Sequence, residues 1–414
     1  MTKTGTMGTD KAALALVQQH RWDDALPVLQ KAVAAGSTNA QVHFNLGHAL
    51  RRTKDFPAAA LAYARAAECD PSLPDPLLFQ AIALRDSQQK PEAEAAYRRL
   101  NALHPTYFTG WSLYGVFLKN EERFADAIDI LKQALTLKDD IDTRNTLVVC
   151  LTRAQRDAEA AEEGARNLAA KDRAALERFP GTPAAAVTLN DRNPPFDPKA
   201  RLRNIISFSL WGDNPVYVHG AIVNARIAPN LYYGWTCRFY CDDSVPADAI
   251  DLLKAEGAQV VMITDPALQA IRPMWRFLAS DDPTVDRFIC RDTDSRLNAQ
   301  ELIAVEAWLR SGKRFHVMRD HIYHMELMLA GMWGGVAGVI PDLKGLMLKA
   351  HKHFNNRFGD QAFLMEQVWP LIREDLCTHD SIYHFRGDDF PDAYRLPRPI
   401  HVGGAIKTMS HWRR

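Results

Sequence analysis

The run Phe288-Ile289-Cys290-Arg291-Asp292-Thr293-Asp294-Ser295-Arg296-Leu297 holds the residues best suited to chemistry. Phe288 to Cys290 reads as the end of a buried strand, and it leads directly into two aspartates one residue apart. A strand that stops at Asp-x-Asp sets two carboxylates at the carboxyl edge of a sheet, where open α/β sheets take ligands. Such a pair suits a hard divalent ion, which keeps its other positions for water and a substrate's phosphates. Arg291 and Arg296 flank it and would draw anionic groups to the same place. The plainer alternative for Asp292 and Asp294 is a pair of helix caps.

The elements needed to position this pair are present in the second half of the chain. Ile205 to Leu210 (IISFSL), Cys237 to Cys241 (CRFYC, followed by Asp242 and Asp243), Gln259 to Ile263 and Arg287 to Cys290 read as strands. Helical patterns over Val216 to Ile227 and Ala247 to Glu256, and a start at Met274 to Leu278, lie between them. Strands alternating with helices predict a mostly parallel sheet with right-handed crossovers. The first strand is not followed by G-x-G-x-x-G, and no Walker loop occurs. That disfavours a nicotinamide dehydrogenase or a P-loop nucleotidase.

From about 200 to 405 the chain resembles the GT-A class of nucleotide-sugar-dependent glycosyltransferases, a Rossmann-like α/β fold. FSLWG at 208–212 is similar to that class's first-strand nucleotide loop, and MWRFL at 274–278 to a helix whose basic residue faces the donor. RDTDSRL is similar to its metal motif, and FGDQAFL at 358–364 to the Asp-Gln element beneath the donor sugar. The resemblance implies donor contacts from Phe208, Ser209, Leu210, Trp211, Asp242, Arg276, Arg291 and Asp292. It implies Mn²⁺ or Mg²⁺ on Asp292 and Asp294, with a late histidine as third ligand: His379 first, with His384 and His401 as alternatives. It implies catalysis by Asp360 or Gln361, and an acceptor side built from Asp320, His321, Trp333 and Gly334. For each residue a structural role is the alternative. Trp211 could close a turn, Arg276 could pair with Asp292, Asp360 could cap the helix that follows, and Arg319, Asp320, His321 and His324 could form a polar loop.

The first half repeats every 34 residues. Ala13, Gly47, Ala81 and Gly115 form one series, and Ala25, Ala59, Ala93, Ala127 and Ala161 another. Leu29, Tyr63, Tyr97 and Leu131 form a third. Each unit is expected to be a pair of antiparallel helices with small residues at the close crossing. No pair buries its own face, so units stack. With FNLG at 44–47 and WSLYG at 111–115, residues 6–172 resemble tetratricopeptide repeats, about five units. The resemblance implies a groove for a protein or peptide, or a surface for a second copy of the chain. Asn45, Arg51, Arg52, Arg85 and Tyr114 are candidates for lining it.

Five prolines between Pro180 and Pro198 mark 173–200 as a linker, which leaves 201–405 for the α/β domain and 406–414 as a tail. Lys+Arg and Asp+Glu are both 50, so nothing points to nucleic acid as a partner. No Cys-x-x-Cys pair occurs among the six cysteines, as expected of free thiols in a reducing compartment. The start of the chain lacks the apolar core of a signal peptide, and no apolar run is long enough to span a bilayer. A cytoplasmic protein is expected. The two resemblances together imply a multidomain, metal-dependent glycosyltransferase that moves a sugar from a nucleotide-sugar donor to a protein or glycan acceptor, with the repeats recognising acceptor or partner. An interaction protein with an inactive GT-A-like domain, and a nucleotide-sugar hydrolase, stay open beside it.

Overall fold

The computed structural model describes residues 3–354, 356 and 358–407. Most of the expected tail, from 408 on, therefore lies outside the described residues. The chain divides into two compact units, 1–157 and 158–414.

The first unit is a run of helices: α1 (Lys3–Gln18), α2 (Trp22–Ala34), α3 (Ala40–Arg52), α4 (Phe56–Cys69), α5 (Pro74–Asp86), α6 (Lys90–Leu103), α7 (Phe108–Asn120), α8 (Phe124–Leu137) and α9 (Ile141–Arg153). The 34-residue series form its core: Ala25, Ala59, Ala93, Ala127, Leu29, Tyr63, Tyr97 and Leu131 are all fully buried. The glycines mark the helix crossings. A Cβ on Gly47 would sit 2.4 Å from the Tyr63 ring, and one on Gly115 2.4 Å from Leu131. The turns repeat as well. His20, Lys54, Gln88 and Glu122, 34 residues apart, all hold left-handed backbone. At Lys54 the Asp55 N–H reaches back to Leu50 O and the Lys54 N–H to Arg51 O, which closes the helix in a Schellman motif.

The second unit begins with α10 (Asp157–Arg178), which carries the boundary residue. Its Asp172 accepts from the Trp369 indole at 2.7 Å and pairs with Arg373 at 2.8 Å, so this helix belongs to the α/β body. The segment expected as a linker contributes too: Arg192 pairs with Asp286, and Ala184 N–H donates to Gln367. The strands are β1 (Asn204–Leu210), β2 (Thr236–Cys241), β3 (Gln259–Met262), β4 (Arg287–Arg291), β5 (Phe315–Arg319), β6 (Trp333–Val336) and β7 (Leu376–Asp380). They form one sheet in the order β3-β2-β1-β4-β6-β5-β7. β1, β2, β3 and β4 are mutually parallel, β6 runs antiparallel to both its neighbours, and β7 is parallel to β5.

Two apolar layers cover the sheet, which is why β1 reads as an unbroken buried run. One layer includes α11 (Pro215–Leu231) and α12 (Ala247–Ala255), which cross over between the first three strands. After β3 the chain passes through α13 (Pro266–Gln269) and a 3₁₀ stretch, Arg272–Ser280. The sequence pattern predicts an α-helix there, and the segment winds as a 3₁₀ stretch instead. The later helices are α14 (Ala299–Arg310), α15 (Leu343–Lys349), α16 (Gly359–Phe363) and α17 (Trp369–Ile372).

Candidate active site at the carboxyl edge of the sheet

β1 continues on one side to β2 and β3, while its other neighbour, β4, comes later in the chain. The reversal of order falls between β1 and β4, and the crevice beyond their carboxyl ends is where such sheets take ligands. Trp211 follows β1 there, and Asp292 follows β4.

Two serines of β1 hold the 272–280 segment across this crevice. Ser207 Oγ donates to Arg276 O at 2.6 Å, and Ser209 Oγ accepts from the Arg276 N–H at 2.9 Å. The Arg276 side chain is thereby aimed at two carboxylates. One guanidinium nitrogen donates to Asp292, and the other to Asp360 at 2.8 Å. Arg276 and Asp360 are largely buried, while the Asp292 carboxylate is 44% exposed, so of the three Asp292 is the most open to a ligand. Burial pushes the Asp360 carboxyl up, and the Arg276 charge opposes the shift. Burial followed by the Asp292 charge raises the Asp294 carboxyl, as expected of like charges set close together. Gly331 makes room: a Cβ there would lie 2.0 Å from Asp292 Oδ2.

Asp242, at the end of β2, accepts from Arg272 at 3.0 Å and from Ser244. Burial opposes its charge, but Ser244 and Arg272 hold its carboxyl below the usual range. Ser244 Oγ also accepts the Gly212 N–H at 2.7 Å, which ties the turn after β1 to the turn after β2. Trp211 lies in that turn, perpendicular to the Trp275 ring and 40% exposed.

Several expected site residues lie elsewhere. Phe208 stacks on Phe239 at 4.7 Å, and Leu210 is buried beside it in the same apolar layer. Arg291 turns away from the edge: it is buried in an ion pair with Glu301, which also accepts from Tyr232. His379 is not a partner of the aspartates. Its ring is bonded to buried His316 at 2.8 Å, because β5 and β7 pair in that register. Among the described residues no three His, Cys, Asp or Glu side chains gather as a metal-binding group. Trp333 is sandwiched by Phe277 and Phe288, and a Cβ on Gly334 would strike Phe288 O at 2.5 Å, so both are sheet core. Asp320 is a buried hub with both oxygens occupied by Ser381, Gln300, Arg398 and the Val402 N–H. His321 stacks on His401 at 4.1 Å, with His324 beside them. Gln361 follows Asp360 in the first turn of α16, and its N–H donates to Asp360 Oδ1 at 2.8 Å. Phe358 occupies the N-cap position of this helix without a side-chain cap bond, so Asp360 is not its N-cap. In the repeats, Tyr114 bonds Arg98 and Glu94.

Three residues at the edge carried no signal in the motif itself. Fully buried Asn224 of α11 donates to Ser295 O at 2.9 Å and accepts the Leu297 N–H at 3.1 Å, clamping the loop that carries the aspartates. A polar residue on the apolar face of a helix was the available clue. Ile406 N–H donates to Asp294 O at 2.7 Å, and the Lys407 charge acts on the Asp294 carboxyl.

Residues 11–74 and 80–140 match the family described as tetratricopeptide repeat. Among solved structures, the crystal structure of MamA protein is 16% identical, covers 41% of this chain and 94% of its own, and has a TM-score of 0.39. MamA 41-end from Desulfovibrio magneticus RS-1 is 16% identical over 39% of this chain and 92% of its own, with a TM-score of 0.35. YrrB, titled a TPR protein with an unusual peptide-binding site, is 16% identical over 39% and 83%, also with a TM-score of 0.35. No curated protein matches the chain. No helix among the described residues is long and apolar enough to cross a membrane. The N-terminal region of this chain consists of tetratricopeptide repeats.

Proposed function

We propose that the chain joins a partner-binding repeat module to a metal-dependent glycosyltransferase domain of the GT-A type. The partner-binding half has the support of the repeat match. The transfer half rests on the motif resemblances and on geometry, and one observation carries it: Asp292, Arg276 and Asp360 form a connected set at the crevice where the strand order reverses.

Asp292 and Asp294 fit a divalent ion that takes two protein carboxylates and keeps its remaining positions for water and phosphate oxygens. Such an ion would neutralise the diphosphate as charge grows on the leaving nucleotide. Arg276 adds fixed positive charge beside it, in a site shielded enough for that charge to count. The partly exposed Trp211 indole would stack on the base. Burial raises the Asp360 carboxyl and the Arg276 charge opposes the rise, a combination suited to a base for an acceptor hydroxyl. In a retaining reaction Asp360 or Gln361 would lie under the anomeric carbon instead.

The second reading is a scaffold whose α/β unit no longer transfers sugar. The Arg276–Asp292 pair favours it, since the guanidinium already occupies one Asp292 carboxylate oxygen. Incubating the full chain with Mn²⁺ and a panel of nucleotide sugars, with peptide and glycan acceptors, separates the readings. Acceptor-dependent release of nucleoside diphosphate, absent in Asp294→Ala, supports transfer. Release without any acceptor identifies a hydrolase, and no release with any donor leaves the scaffold.

A further inference from the structure

Arg287, the first residue of β4, lies at the amino edge of the sheet, at the end of the strand away from the aspartates. Among the described residues of the second unit, Arg238, Arg276, Arg287, Arg291 and Arg319 are buried. All but one of them face a carboxylate. Arg238 pairs with Asp282, Arg276 with Asp292 and Asp360, Arg291 with Glu301, and Arg319 with Asp380. The Arg287 guanidinium donates only to neutral oxygens, Pro194 O at 2.7 Å and Asn193 Oδ1 at 3.3 Å. Neighbouring Asp286 gives its oxygens to Arg192 at 2.5 Å and to Arg203 at 2.6 Å. A buried charge without a direct counter-ion is costly. Burial pulls the Arg287 pKa down, with Asp286 opposing the fall and Arg192 adding to it.

Arg287 contributes to the wall of a cleft of about 550 Å³. The same cleft carries two exposed cations, Arg310 and Lys313, against one carboxylate, Glu306. Arg310 ends α14, where a cation is expected beside the last helix carbonyls. Its contact with Glu306 is long, 3.8 Å, and its side chain is 68% exposed. Lys313 Nζ donates to Glu374 O at 3.0 Å, and an ammonium has two further protons to give. Pro195, Phe196 and Leu309 make another side of the cleft apolar. A surplus of positive charge beside apolar wall in a concave site suits a ligand with a negative group on an apolar body. We infer that this cleft binds a small organic anion, a carboxylate or phosphate carried on an aromatic or aliphatic body. The exposed Arg310 and Lys313 side chains grip the anionic group, and buried Arg287 adds charge from the wall. The apolar body lies against Pro195 and Phe196. This site is separate from the Asp292 crevice and needs neither metal nor sugar transfer.

The test is a titration of the full chain with ¹⁵N-labelled tryptophan indoles. Trp308 is the reporter, because its indole N–H donates to Lys313 O at 2.9 Å and its ring lies 5.7 Å from the Arg287 guanidinium carbon. Its signal is identified by its loss in Trp308→Phe. The probes are benzoate, phenyl phosphate, neutral benzamide and inorganic phosphate, at constant ionic strength. Benzoate or phenyl phosphate should shift Trp308 saturably, and the tighter of the two identifies the anionic group. Benzamide should bind about tenfold more weakly, the effect of losing charge-assisted hydrogen bonds. Inorganic phosphate should also be about tenfold weaker, because it leaves the apolar wall bare. Arg310→Gln combined with Lys313→Gln, both on the surface, should weaken binding about tenfold and melt as the wild type does. No Trp308 shift with either organic anion, or benzamide binding as tightly as benzoate, overturns the proposal. Full affinity in the double variant, or in an Arg287→Gln protein that melts cooperatively, overturns it as well.

Discussion

Arg276 is ion-paired to Asp292, the first aspartate of the Asp-x-Asp pair. A guanidinium and a divalent cation compete for the same carboxylate. Removing the guanidinium should therefore strengthen metal binding even as it harms the site. Arg276→Gln is expected to tighten Mn²⁺ binding about tenfold, near 1.4 kcal/mol, as read from the free Mn²⁺ resonance. It should also lower stability by about 3–5 kcal/mol, because Asp360 is left buried without its partner. An unchanged Mn²⁺ affinity in a folded Arg276→Gln protein would remove the competition argument.

Asp294 has its carboxyl raised above its unfolded value, by burial and then by Asp292. The native state thus holds the proton more tightly than the unfolded one. The resulting stability is present below the unfolded value, roughly 3.9, and is lost as pH rises through the folded value. At pH 7 the ionised group burdens the fold. Asp294→Asn should raise the melting temperature at pH 7, and the increment should vanish toward pH 3. A stabilisation independent of pH would mean that the charge is not its cause. Asp294→Ala should fold and show no sugar transfer.

Asn224 should matter to the aspartate pair without touching it. Asn224→Ala leaves the Ser295 carbonyl and the Leu297 N–H unpaired in a buried place, at a cost of about 1–3 kcal/mol. Denaturant unfolding should register that loss, and Mn²⁺ affinity should fall with it. Normal Mn²⁺ affinity in the variant would show that the loop keeps its shape without the clamp.

In the first unit, Gly47→Ala brings a methyl 2.4 Å from the Tyr63 ring. Overpacking of this kind costs about 1–3 kcal/mol. Calorimetry should show a lower transition for the repeats; an unchanged one would mean the helices separate freely at that crossing.

The repeats were legible because a period of 34 residues exposes the spacing of small and large core positions directly. The strand leading to the aspartates was legible to within one residue, its end falling at Arg291 rather than Cys290, because a buried strand and a polar edge differ so sharply in composition. β6, by contrast, is the short Trp-Gly-Gly-Val run, whose glycines hide any strand pattern. β7 ends in Thr378, His379 and Asp380, polar residues buried by pairs that form only on folding. In the sequence His379 therefore reads as a ligand, whereas in the fold it is a partner of His316. The role of α10 was hidden too, since the proline-rich stretch after it suggests a boundary near 175–200 while Lys171 and Asp172 are tied to Glu326 and Arg373. A chain beginning at Ala158 should fold, and one beginning at Asp197 should not, because the second leaves Trp369 and Arg373 without their acceptor.

The most direct test of the central claim is calorimetric titration of the full chain with nucleoside diphosphates, in the presence and absence of Mn²⁺. At least one nucleoside diphosphate should bind saturably, only with metal present, and binding should disappear in Asp292→Asn and Asp294→Asn proteins that still melt cooperatively. Failure of every nucleoside diphosphate to bind with either Mn²⁺ or Mg²⁺, or binding that survives both substitutions, would contradict a metal-diphosphate site at this edge.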